Sequence, residues 1–210
     1  MVLAAGSTAL AGDEIDRLLA AVNGRVVTAS DLRLARNLNT LIVFGAQGSA
    51  PLEQELARLV DLEILRQELE SSPAVAAEPA RIEARLQDLR NAYAEIGGLS
   101  GFLRRLGLEE SELRAYVALQ ISVDNFVSSR FRPFVSPSEE ECRAYYRDTL
   151  LPRLAASPGA RVPPFEEVSA DIARILTEQG VLAALERWLS DVKQHLRIEM
   201  FTTGFGETRP

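Results

Sequence analysis

Residues Leu196, Ile198 and Met200 alternate with Arg197 and Glu199, the period of a β-strand, at the end of a long helical pattern. A single strand leaves its main-chain groups unpaired. The chain offers this segment few partners besides one hairpin near its start, where Asn23-Gly24 stands between two apolar runs. That dipeptide favours the positive φ at both central positions of a type I′ turn. Residues near 18–22 and 25–28 are therefore expected to pair as short strands. The last strand is expected to join them, which closes the two ends of the chain on one another.

Between these ends the pattern is helical. Thr28 or Ser30 is expected to cap a first helix, and with Thr28 as cap Asp31 completes a near capping box. That helix is read to about Phe44, followed by a loop over Gly45-Ala46-Gln47-Gly48-Ser49. Pro51 then suits the first turn of a second helix, which ends at Ser71-Ser72-Pro73. A third helix is expected from about Pro79 to Ile96. Ser100 is expected to cap a short helix closed by Gly107. From Glu109 to Arg132 two apolar stripes appear, Tyr116/Leu119/Val123/Phe126 and Leu113/Val117/Ile121, as in a helix central to a domain. Ser136-Pro137-Ser138-Glu139 reads as a helix start with Ser136 as cap. Pro152 to Pro164 reads as a loop. A return helix over 164–195 leads into the closing strand.

Composition narrows the function classes. A net charge of −7 among 210 residues argues against nucleic acid as a main partner. The arginines are interleaved with glutamates, the pattern of solvated helix faces. No stretch reaches the roughly 18 apolar residues of a membrane span, so no stable membrane insertion is expected. Cys142 and His195 are the one cysteine and the one histidine. They allow no intramolecular disulfide and no His/Cys zinc site. Cys142 follows Glu139-Glu140-Glu141, the wrong electrostatic setting for a nucleophilic thiolate. No Walker-type loop occurs. Gly98-Leu99-Ser100-Gly101-Phe102 lacks the last glycine of a hydrolase elbow. Gly45-Ala46-Gln47-Gly48 is too short for a dinucleotide fingerprint. No catalytic residue and no cofactor is expected.

Several segments in this order resemble one family. Leu19-Ala20-Ala21-Val22-Asn23-Gly24-Arg25-Val26-Val27-Thr28-Ala29-Ser30-Asp31-Leu32 is similar to the opening of the chaperone domain in SurA-type exported folding factors. Leu59-Val60-Asp61-Leu62-Glu63-Ile64-Leu65 resembles the family's second-helix segment. Leu106-Gly107-Leu108-Glu109-Glu110-Ser111-Glu112-Leu113-Arg114 resembles its glycine, acidic turn and long helix. The segment from Val135 to Tyr146 is similar to its most regular signature, with Cys142 at a position more often Ile or Val. Pro163-Pro164-Phe165-Glu166-Glu167-Val168 and the strand closing at Phe201 resemble the return helix and last strand.

The resemblance implies a mainly α, multi-helix SurA-like chaperone domain. It carries a small antiparallel β element formed by the N-terminal hairpin and the C-terminal strand. Many such proteins carry a parvulin-type prolyl isomerase domain before the return helix. Here fourteen residues, 149–162, occupy that place. A segment under about 40 residues rarely folds alone without disulfides or metals, so isomerase activity is not expected. Residues 1–12 read as a leader or signal-peptide remnant, with Ala9-Leu10-Ala11 as an A-x-A site. Residues 13–201 read as one chaperone-like domain, and residues 202–210 as a disordered tail.

The family likeness implies an exported, periplasmic protein that holds unfolded polypeptides, outer-membrane protein precursors among them, in an apolar groove without ATP. A cytoplasmic location stays open. So does a non-catalytic structural or adaptor role, as a homodimer with the Pro152–Pro164 connection as a swap hinge. The candidate peptide-binding residues are Leu41, Ile42 and Phe44, Phe102 and Leu103, Phe126, Phe131 and Phe134, and Trp188. For each of them plain core packing is the competing explanation.

Overall fold

The structure is a computed structural model that describes residues 16–37, 51–156 and 161–201. The chain starts with β1 (Leu18–Val22) and β2 (Arg25–Thr28). They form the expected hairpin, with φ of 52° at Asn23 and 83° at Gly24. Val22 faces Arg25, Ala21 faces Val26 and Ala20 faces Val27. The closing strand β3 (Ile198–Met200) pairs antiparallel with β1, giving the sheet order β2-β1-β3. Asn23 N–H donates to Arg197 O (2.9 Å) and Phe201 N–H to Leu19 O (2.9 Å), so the two ends of the chain share one sheet.

Helix α1 (Ala29–Asn37) leaves β2 directly. Thr28 Oγ1 accepts from Asp31 N–H at 3.2 Å, and Thr28 N–H donates to the Asp31 carboxylate at 2.8 Å, a reciprocal cap. The expected continuation of α1 to Phe44 lies outside the described residues. The other helices are α2 (Leu52–Glu70), α3 (Pro79–Tyr93), α4 (Leu99–Leu106), α5 (Glu110–Arg130), α6 (Glu139–Tyr145), α7 (Leu151–Ala155) and α8 (Phe165–Lys193). The chain is thus mainly helical with one small antiparallel sheet. At 29 residues, α8 runs about 43 Å at about 1.5 Å per residue.

Three local expectations are corrected. The cap of α6 is Ser138, not Ser136: Ser138 Oγ accepts from Glu141 N–H (3.2 Å) while the Glu141 carboxylate accepts from Ser138 N–H (2.7 Å). This register puts Glu139, Glu140 and Glu141 in the first turn, where the helix dipole favours negative charge. Helix α4 opens after Gly98, and Ser100 lies inside it; Gly97 and Gly98, at φ of 97° and 74°, make the entry turn. Finally, residues 152–155 are helical rather than loop. A π turn over Tyr146–Leu150, in which Leu151 N–H reaches back to Tyr146 O, joins α6 to α7. It carries the helix across Pro152, which has no N–H to give to the ladder.

The core has two parts. The main one gathers Leu19 and Val22 of the sheet, Leu32 of α1, Leu56, Val60 and Leu65 of α2, Val123 and Phe126 of α5, and Val181, Leu185 and Leu189 of α8. The second gathers Leu86 of α3, Leu99 and Leu103 of α4, and Leu113, Val117 and Ile121 of α5. Helix α5 serves both, which is what its two apolar stripes require. The return helix therefore packs on the N-terminal elements, as the closure demands. At its start, Phe165 lies edge-on to Tyr146 (5.7 Å) and under the Arg143 guanidinium (4.4 Å), while Tyr146 donates to Pro163 O at 2.8 Å. These contacts fix the entry of α8 against α6.

Candidate functional site: an acidic-rimmed apolar groove

A groove of about 480 Å³ opens between the β2–α1 corner, the middle of α2 and the first half of α5. Its apolar wall is Val26 and Val27 of β2, Leu34 and Ala35 of α1, Leu59 and Leu62 of α2, and Ala115, Tyr116 and Leu119 of α5. Its polar side chains are Asp31, Glu63, Arg66 and Glu112. Each wall follows from local sequence. The capped β2–α1 corner turns Leu34 and Ala35 back towards the hairpin. The spacing of Leu59, Leu62, Glu63 and Arg66 places them on one face of α2. On α5, the stripe Tyr116/Leu119/Val123/Phe126 changes role along its length: Val123 and Phe126 are buried in the main core, Leu119 packs on that core and also borders the groove, and Tyr116 borders the groove.

Three carboxylates and one guanidinium make the groove net negative. Asp31 is held by the Thr28 cap. Glu63 is 8% exposed and accepts from Gln67 Nε2 at 3.1 Å, with the Arg66 guanidinium 3.6 Å and that of Arg25 4.0 Å away. Glu112 accepts from Glu109 N–H at 2.7 Å, capping α5. Gln67 in turn donates to Val22 O (3.0 Å) and accepts from Asn23 Nδ2 (3.2 Å), so the acidic wall is tied to the hairpin.

The described sequence candidates are distributed over the molecule, and none of them lines this groove. Phe126, Phe131 and Trp188 meet in the main core, with ring centroids 5.5–6.2 Å apart, and Arg130 covers Phe126 and Trp188. Leu103 is buried in the second core, and Phe102 stacks on Tyr93 at 4.5 Å. Phe134 stands apart: it is 85% exposed and borders a shallow hollow of about 620 Å³ with Val135, Tyr145, Leu176 and Gly180. Leu41, Ile42 and Phe44 lie outside the described residues. The groove residues that sequence reasoning missed carried one usable signal, the N-terminal half of the Tyr116 stripe.

Elsewhere, Lys193 of α8 pairs with Asp61 of α2. Burial pushes the Asp61 carboxyl above its ordinary value, against the opposing pull of Lys193. Burial likewise raises Asp124, which lies beside Arg81 and Arg85 between α3 and α5. Cys142 is buried, and His195 Nδ1 lies 2.9 Å from Asp191 O. Among the described residues no three His, Cys, Asp or Glu side chains converge as a metal site. No described helix is long and apolar enough to cross a membrane. No family model matches the chain, and no curated protein matches it.

Proposed function

We propose that this protein is a non-catalytic, ATP-independent holding chaperone, exported to the periplasm, that captures unfolded polypeptides in the groove between β2, α1, α2 and α5. Outer-membrane protein precursors are the expected clients, and prolyl isomerisation is not part of the activity. The observation that carries this reading is an open apolar groove with an acidic rim, on a fold whose segments resemble SurA-type chaperones in order. Apolar contact is non-directional and contributes about 25 cal/mol per Å² covered. Ordering an extended client offsets much of that gain, so binding is weak and broad. Such binding requires neither a nucleotide nor a reacting group.

The exposed Phe134 favours a second reading, a fixed adaptor that buries this ring on one partner. An aromatic anchor in a hollow is the usual centre of a specific interface. Light scattering separates the two. A holding chaperone suppresses aggregation of a denatured outer-membrane-type protein at small molar excess without ATP. Unchanged aggregation removes the first reading and leaves the adaptor.

A further inference from the structure

The groove reaches both Val26 and Val27, neighbours on one strand whose side chains project to opposite faces of the sheet. A cleft that touches both runs along the outer edge of β2. The main-chain pattern shows what that edge presents. Leu19 and Asn23 turn their groups towards β3, since Leu19 O accepts from Phe201 N–H and Asn23 N–H donates to Arg197 O. By the alternation of an antiparallel ladder, Ala21, midway between them, also faces β3. Val26 sits opposite Ala21. It is therefore a non-hydrogen-bonded pair, and the N–H and C=O of Val26 point away from β1, outward along the groove. Val26 itself is 50% exposed. Two residues on, the edge closes again, because Thr28 N–H is taken by the Asp31 carboxylate.

We infer that the groove receives its client as an added β-strand, pairing main chain to main chain with Val26, with alternate apolar side chains set between Leu34, Leu62, Tyr116 and Leu119 and basic side chains towards Glu63 and Glu112. This deepens the holding reading and rests on it. The occupant is an extended, apolar segment with interspersed lysine or arginine. Three carboxylates against one guanidinium disfavour an acidic strand. Main-chain pairing is indifferent to client sequence, and alternate side chains give only a coarse preference, which suits a binder of many clients. One outward residue offers two hydrogen bonds, so residence is short.

The test uses the full chain and two peptides of about eight residues alternating valine and lysine, one unmodified and one N-methylated at every second amide. A strand adds through one edge, and methylation of that edge blocks the pairing while leaving the side chains intact. The unmodified peptide is expected to bind and to slow exchange of the Val26 amide proton. The peptide methylated on the pairing edge is expected to bind at least about tenfold more weakly, the loss of one or two main-chain bonds. Val26→Pro, which removes a donor that β1 does not use, is expected to weaken the unmodified peptide similarly. Because proline can disturb the hairpin, the methylated peptide is the deciding arm.

Equal binding of both peptides with an unprotected Val26 amide overturns strand addition and leaves the holding reading standing. Suppressed aggregation without peptide binding does the same. Failure of both peptide binding and aggregation suppression overturns the two together. If the free protein is a dimer whose Val26 amide is already protected, the edge is occupied by a second copy and the client-strand inference fails.

Discussion

Val135 packs against the bare α-carbon of Gly180 in α8: a side-chain carbon added there would lie 2.5 Å from Val135 Cγ1. In an open helix Gly→Ala gains about 1 kcal/mol. Here overpacking costs about 1–3 kcal/mol, so Gly180→Ala is expected to lower stability. Val135→Ala opens the space. The double variant is expected to be more stable than Gly180→Ala alone, a coupling read from the urea midpoints of the parent, the two single variants and the double variant. Additive midpoints contradict this contact.

The closure of the chain gives a second expectation. Deleting residues 164–201 removes α8 and β3 together and strips Leu19, Val22, Leu56 and Phe126 of their cover. The remainder is expected to lose its cooperative thermal transition by circular dichroism. A sharp transition with native helicity contradicts the shared core.

Much of this fold was legible because its local signals are strong. Asn23-Gly24 fixes the hairpin, and the two stripes of α5 describe a helix that serves two cores. The caps were misplaced where two serines compete: the choice of Ser138 over Ser136 depends on a Glu141 that reaches back, a reciprocal contact that spacing alone leaves undecided. Pro152 read as a breaker because the π turn that bypasses it has no simple sequence mark. The groove was largely illegible. The large aromatics Phe126, Phe131 and Trp188 fill the core, while the groove is walled by ordinary Val, Leu and Ala, and Val27, Ala35 and Leu59 serve the groove and the main core at once.

Asp61 links α2 to α8 through its pair with Lys193. Its folded-state value is raised, mainly by burial. The native state therefore binds more protons than the unfolded chain just above the ordinary aspartate value of 3.8. Stability from this group falls as pH rises through that window. Asp61→Asn does not titrate. Its melting temperature relative to the parent is expected to move upward as pH rises above the ordinary aspartate value of 3.8. The reverse trend would show that the Lys193 pair outweighs burial.

The acidic rim predicts salt dependence. Glu112→Gln keeps a side chain able to accept from Glu109 N–H, so α5 retains its cap. The variant is expected to bind a lysine-containing apolar peptide about twofold to threefold more weakly at low salt, the scale of one exposed charge pair. That difference is expected to fade near about 0.5 M salt through screening. Fluorescence anisotropy at two ionic strengths reads it. A salt-independent difference means that Glu112 acts through packing rather than charge.

Ala115 gives direct access to the groove. This residue is exposed on α5 and lines the groove without entering either core. Ala115→Trp fills the space between Leu62 and Tyr116 and leaves the fold alone. The decisive measurement is aggregation of a denatured outer-membrane-type protein, followed by light scattering without nucleotide, with the parent and this variant at equal molar excess and matched melting temperatures. The parent is expected to suppress aggregation and the variant to lose that suppression. Equal suppression by both proteins contradicts this and places client binding elsewhere on the surface.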